Sequence, residues 1–291
     1  MADLTGGASG TMATWTPEVW SKRASITYRA AVVLPPLLDH TWEPELVRGL
    51  GDTAHIPQFT QNATSTSRST FGTGAALTWS AVTESQTDLV VIRMRTKAFR
   101  IPVEGMFQMM PNYLTYLTDG IGTAIAVDTD ADIAADNTDG FDGLTAIGAD
   151  NVDVTEDDIL TAEAVLNNAN APLKDRFFVF SPNTYNSLRK IEALRNQLYN
   201  ASGTIDLAAG PGACGHIFTL NCFLSNNLEA GTAGKKNAIF QREAIAYAAQ
   251  VELKVLHDVN IEDGIFDQYV GYNIYGFKMV KSGSGREVDG K

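Results

Sequence analysis

Cysteine is scarce in this 291-residue chain, which holds only Cys214 and Cys222. Two thiols cannot frame a secreted disulfide scaffold, so the expected place of synthesis is a reducing cytoplasm. No stretch approaches the roughly 18 to 20 apolar residues of a bilayer-spanning helix, and no membrane partner is expected. Met1 to Thr14 is small and polar, without the basic and then apolar regions of a secretory signal. Basic residues are missing over a long central stretch, with neither Lys nor Arg from Ile101 to Leu173, and the formal net charge is −12. Affinity for nucleic acid comes from neutralising phosphates with clustered Lys and Arg, so this balance argues against tight binding. It does not argue against standing beside nucleic acid.

Catalytic signatures are missing as well. There is no Walker A sequence, no G-x-S-x-G elbow and no H-E-x-x-H. Gly210-Pro-Gly-Ala-Cys-Gly215 matches the letters of a dinucleotide fingerprint, but a strand is expected after it where a helix is required, so it reads as a loop. Cys214 and His216 share a strand face without an orienting carboxylate, and Cys222 reads as core. Two cysteines with scattered His40, His55 and His257 lack zinc-ligand spacing. Asp128, Asp130, Asp132, Asp136 and Asp139 follow the spacing of a calcium loop, yet Ile133 stands where the turn needs Gly, and Asp139 where Glu is usual. The plain reading is a solvated acidic helix end, with Asp128, Asp130 and Asp132 left as weak cation candidates. No catalytic residue and no cofactor is predicted.

What remains is an ordinary globular composition, 44% hydrophobic and 19% charged, long enough for about two domains. Trp15, Val19, Trp20 and Ala24 fall near helical spacing, with Thr14 or Thr16 as cap and Pro17 in the first turn. Pro35–Pro36 forbids a continuous helix beyond. Thr53 to Phe59, Ala76 to Val82 and Leu89 to Arg95 read as strands, the last with Val90, Ile92 and Met94 alternating. The polar stretch from Thr60 to Gly74 joins the first two, and such a hairpin carries too little apolar surface to fold alone. It needs a partner surface. After Pro111, Leu114, Leu117, Ile121, Ala124 and Ile125 predict a helix to about Ala126 or beyond, weakened by Gly120 and Gly122, and Asp128 to Gly143 reads as an acidic linker.

From Asn151 the chain reads as α/β. Thr155 with Asp158 predicts a capping box for a helix burying Ile159, Ala162, Leu166 and Ala169. Arg176 to Phe180 reads as a buried strand, and Ser181–Pro182 opens a helix facing Tyr185, Leu188, Ile191 and Leu198 inward. His216 to Leu224, Val251 to Val259 and Asp267 to Val280 read as strands, Ala238 to Ala248 as a mixed segment, and Ser282 to Lys291 as a polar tail.

Taken in order, these features resemble the major capsid proteins of tailed phages, of the Hong Kong 97 type. The residues that carry the likeness are Gly51-Asp-Thr-Ala-His-Ile-Pro57 opening the hairpin, Phe178-Val-Phe-Ser-Pro182 leading into a helix, Leu224-Ser-Asn-Asn-Leu228 closing a strand, and the late strand around Tyr275–Gly276. The resemblance spans nearly the whole chain. It implies an α+β fold with an N-terminal arm (1–50), an extended hairpin loop (51–100), a peripheral domain with a long spine helix (101–150), an α/β axial domain (151–248), and return strands with a tail (249–291). It implies copies of the chain as partners in hexamers and pentamers, with Trp15, Trp20, Phe59, Arg68, Phe71 and Trp79 on arm and hairpin as inter-subunit contacts. Scaffolding and portal proteins would be further partners, and the shell would enclose double-stranded DNA without reading its sequence. An acidic wall would let that DNA slide.

Some members of that family crosslink a hairpin Lys to an Asn of another subunit, but Thr53 to Thr96 contains no Lys. Denaturing gels of the assembled protein should therefore show a single monomer band, and a ladder of multimers would refute this. The chain enters the arm directly from Met1, which points to a separate scaffold or none. Other readings are an encapsulin-like shell around a cargo enzyme, a soluble α/β enzyme with a dispersed site, and a tail or decoration protein.

Overall fold

The structure, a computed structural model, describes residues 16–47, 51–60, 83–108, 113–191, 213–231, 234–261 and 264–291. Helix α1 (Thr16–Ala31) is followed by a 3-10 turn at Pro35–Leu37 and a short α2 (Glu43–Val47). Strands β1 (Thr53–Thr60) and β2 (Thr83–Val90) pair antiparallel from Thr53↔Val90 to Thr60↔Thr83. The predicted strand at Ala76 to Val82 lies outside the described residues. The predicted strand at Leu89 to Arg95 is instead two, because the chain leaves the hairpin at Val91–Ile92 and starts β3 (Arg93–Pro102) in another sheet.

A short α3 (Val103–Gln108) precedes α4 (Tyr113–Ala135), which runs well past Ala126. The acidic linker is thus corrected at its start: Asp128, Asp130 and Asp132 are helical. Tertiary partners outweigh the glycine penalty and the acidic composition. Gly122 is where α1 crosses, since a Cβ there would stand 2.6 Å from the Ala24 carbonyl oxygen. Arg23 forks onto Asp119 at 2.8 and 2.9 Å, Arg95 pairs with Asp132, Arg93 with Asp136, and Lys278 with Asp139 at 2.8 Å. The acids read as a solvated run are mostly tied to cations distant in sequence.

Helices α1 and α4 lie on one face of a three-stranded antiparallel sheet ordered β3, β10 (Phe266–Met279), β9 (Ile245–Asn260). Ala24, Tyr28, Ile121, Ile125, Leu253, Val255 and Tyr269 fill that interface. The described part of the N-terminal segment therefore packs on its own chain.

The second unit is a six-stranded mixed sheet ordered β4 (Ala146–Gly148), β11 (Gly285–Gly290), β8 (Lys235–Gln241), β5 (Arg176–Phe180), β7 (Leu220–Leu224), β6 (Ala213–Ile217). Helices α5 (Glu156–Asn168) and α6 (Pro182–Leu188) cover one face through Ile159, Leu166, Phe178, Phe180, Leu188 and Ile239. The Thr155–Asp158 capping box is present in both directions, and Ser181 Oγ accepts from the Thr184 amide at 3.2 Å. On the opposite face Phe177, Val179 and Phe240 meet Ile133, Phe141, Leu34 and Tyr275, joining the two sheets through one core.

Three boundaries differ from the sequence reading. The helix after Ser181 ends at Leu188, and Leu198 lies outside the described residues. His216 to Leu224 is two antiparallel strands turning at Phe218–Thr219, where Phe218 takes φ +52°. Ser282 to Lys291 is not a free tail: β11 pairs with β8 and β4, and Val288 is fully buried.

Candidate assembly surfaces

Among the described residues, two surfaces of the subunit have no covering layer. One is the hairpin. Its base is anchored, because Ala54 and Ile56 on β1 and Leu89 on β2 pack against Leu46, Ala246 and Ala248. Away from that base β2 is polar on both faces, with Ser85 exposed on the face of Leu89 and Glu84, Gln86 and Asp88 exposed on the other. His55 Nδ1 and Asp88 Oδ1 lie 2.6 Å apart across the strands.

The other is the face of the three-stranded sheet turned away from α1 and α4. Strand alternation puts Phe99, Ile101 and Tyr269 toward the helices, and therefore Met94, Ala98, Val270, Tyr272 and Leu256 on the far side. Cross-strand pairing brings Met94 beside Ile274, and Val270 between Ala98 and Leu256. Ile92 is 75% exposed, Met94 55% and Leu256 48%. Met94 adjoins the apolar patch where the hairpin base docks, since its cross-strand neighbour Ile274 packs against that cluster. Exposed apolar side chains gathered on one sheet face mark an interaction site more than scattered apolar residues do.

Of the predicted contact residues, Trp20 lies in α1 and Phe59 in β1 opposite Glu84. Trp15, Arg68, Phe71 and Trp79 lie outside the described residues. Ile92, Met94 and Leu256 are not among the predicted contact residues. The alternation of Val90, Ile92 and Met94 was legible, but alternation does not say which face is covered.

The cation candidates do not converge. On a helix, residues two apart point to well-separated directions. Asp128 is exposed, Asp130 is buried against backbone amides of residues 33 and 34, and Asp132 faces Arg95 and the Tyr275 hydroxyl. Among the described residues no three His, Cys, Asp or Glu side chains gather as a metal-holding group. The calcium-loop spacing is a coincidence of a helical stretch, not a ligand set. Cys222 is buried beneath α5 as expected, His216 is exposed, and the glycine-rich run at 210–215 falls partly outside the described residues.

No protein-family model matches the chain, and no curated protein matches its sequence. Solved structures do match. One from Mycobacterium phage Che8 superposes with a TM-score of 0.68 at 23% identity, over 88% of this chain and 90% of that one. The capsid of the cyanophage P-SCSP1u gives 0.62 at 17% identity, over 90% and 88%. The virus-like particle from Pyrococcus furiosus gives 0.59 at 12% identity, over 94% and 99%. The overall arrangement of helices and strands in this chain thus matches these structures over close to nine-tenths of its length. This chain has the fold of the tailed-phage major capsid proteins.

Proposed function

We propose that the chain is the major capsid protein of a tailed double-stranded DNA phage, a shell subunit that assembles with copies of itself. The observation that carries this reading is the match to the capsid of the cyanophage P-SCSP1u, and to a structure from Mycobacterium phage Che8, over close to nine-tenths of both chains. A fold alone does not fix function. The two uncovered surfaces support the same reading, because a closed shell repeats each modest contact many times. In this reading the hairpin and the aromatic and basic residues of arm and hairpin (Trp15, Trp20, Phe59, Arg68, Phe71, Trp79) meet neighbouring subunits. The strip of Ile92, Met94 and Leu256 is buried at the same time. Scaffolding and portal proteins are the further partners, the virion shell is the location, and the enclosed DNA is not gripped in sequence.

Negative-stain electron microscopy with sedimentation tests this. The purified chain, or the chain expressed with its neighbouring genes, is expected to form closed icosahedral shells. The pair Ile92→Asp and Met94→Asp is expected to leave the subunit folded, with an unchanged melting temperature, and to abolish shells. A small discrete oligomer from the unaltered chain would sink the proposal. The likeness to the Pyrococcus furiosus particle favours one second reading, an encapsulin-like compartment. Shells holding a cargo enzyme instead of DNA would select it.

A further inference from the structure

Asp130 is a fully buried carboxylate in the last turns of α4. Its Oδ1 accepts from the Leu34 amide at 3.0 Å, and its Oδ2 from the Val33 amide at 3.1 Å and from Asn227 Nδ2 at 3.2 Å. One side chain therefore gathers three elements: the spine helix, the chain just after α1, and the turn that follows β7 in the six-stranded sheet. The turn is itself ordered, with Ser225 Oγ accepting from the Asn227 amide at 3.2 Å and Lys235 Nζ donating to the Leu228 carbonyl at 2.7 Å.

The described surroundings are polar but supply no counter-charge. From α1 the buried Tyr28 faces the site, and Asp130 helps to raise its hydroxyl above the ordinary range, after burial itself. On α4, Thr129 donates to the Ile125 carbonyl, Asp128 is exposed, and Asp132 is engaged by Arg95. Lys235 points at a carbonyl, and Glu229 follows on the turn. Among the described residues no cation pairs with Asp130. Burial pushes its carboxyl up to about 6, against the pull of three donors that favour the charged form.

We propose that Asp130 is a proton-operated latch that holds the chain after α1 and the turn after β7 against α4, firmly when protonated and loosely when ionised. Opening the junction returns the carboxyl to water, where it titrates at 3.8. The closed state binds more protons than the open state between these two values, so closure is favoured at low pH and weakens as pH rises through about 6. The separation of the two values corresponds to roughly a hundredfold change in the opening equilibrium. The latch belongs to the single subunit and holds whether or not copies form a shell.

Hydrogen exchange of the Val33 and Leu34 amides in the full-length chain reads this directly. After correction for intrinsic exchange, their protection is expected to fall by up to about a hundredfold between pH 4 and pH 7, while amides of β5 stay constant. Asp130→Asn keeps a carbonyl acceptor and loses the titration, so its protection at these amides is expected to be flat across that range. Asn227→Ala removes one donor to the charged form and is expected to move the transition to higher pH. A flat profile in the unaltered chain, or the same fall in Asp130→Asn, would overturn the latch.

Discussion

Deleting Gly285 to Lys291 is expected to abolish soluble subunit, although the segment reads as a polar tail. Strand β11 lies between β4 and β8, so its loss exposes the edge of β8 and sets β4 free of the sheet. Val288 is fully buried among Ile159, Phe178 and Ile239, and its burial contributes about 2 kcal/mol. Asn237, also fully buried, donates to the Val288 carbonyl at 2.9 Å and accepts from the Ser181 amide at 2.9 Å. Removing Val288 leaves that amide with the Lys235 carbonyl alone, at 3.2 Å, a loss of about 1 kcal/mol, and loosens the cap of α6. Strand hydrogen bonds add to these losses, and a domain is stable by only about 5 to 15 kcal/mol in total. Val288→Asp is the milder form, expected to cost at least about 3 kcal/mol by burying an unpaired carboxylate. Soluble yield and thermal melting decide the matter. A truncated chain that melts like the full one would show that β11 is an ornament of the sheet.

What could be read beforehand follows from how local each determinant is. The Thr155–Asp158 box and the Ser181–Pro182 start are set by residues three apart, and both elements form where expected. The C-terminal strand was illegible because Gly-Arg-Glu-Val-Asp-Gly offers one apolar residue, and its order comes from pairing with residues some fifty positions earlier. Glu287 sharpens the point. It is nearly buried, its carboxyl raised to about 8 first by burial and then by a hydrogen bond with Asp289, with Lys236 pulling the other way. Charge in a sequence reads as surface, yet here it is folded in. The same holds for α4, whose acids meet Arg93 and Arg95 from a strand far earlier in the chain. For the assembly surfaces, the hairpin was legible as a segment lacking its own core. The exposed strip was not, because strand alternation marks two faces without ranking them.

The interface of α4 with its sheet supplies the other large expected effect, at Gly271. This residue sits mid-strand in β10 between Lys97 and Val255, on the face under the helix. A Cβ there would overlap Ile121 Cγ2 and stand 3.4 Å from Ile125 Cδ1. Ile121 is β-branched and helical, so it has essentially one rotamer and cannot swing aside. The helix must lift instead, and with it the packing of Tyr269, Val255 and Ala24. Gly271→Val is therefore expected to destabilise the subunit by at least about 3 kcal/mol, at the upper end of overpacking costs. Ile121→Ala alone is expected to cost about 2 to 4 kcal/mol through its cavity. The informative variant is the pair: Gly271→Ala with Ile121→Ala places a methyl where one was removed, so the double cost should fall short of the sum by about 1 kcal/mol or more. Urea unfolding of the four chains measures it. Strict additivity would mean that the helix settles into a new register on the sheet. In that event Arg95 and Arg93, which engage Asp132 and Asp136 near the far end of α4, would lose their partners as well.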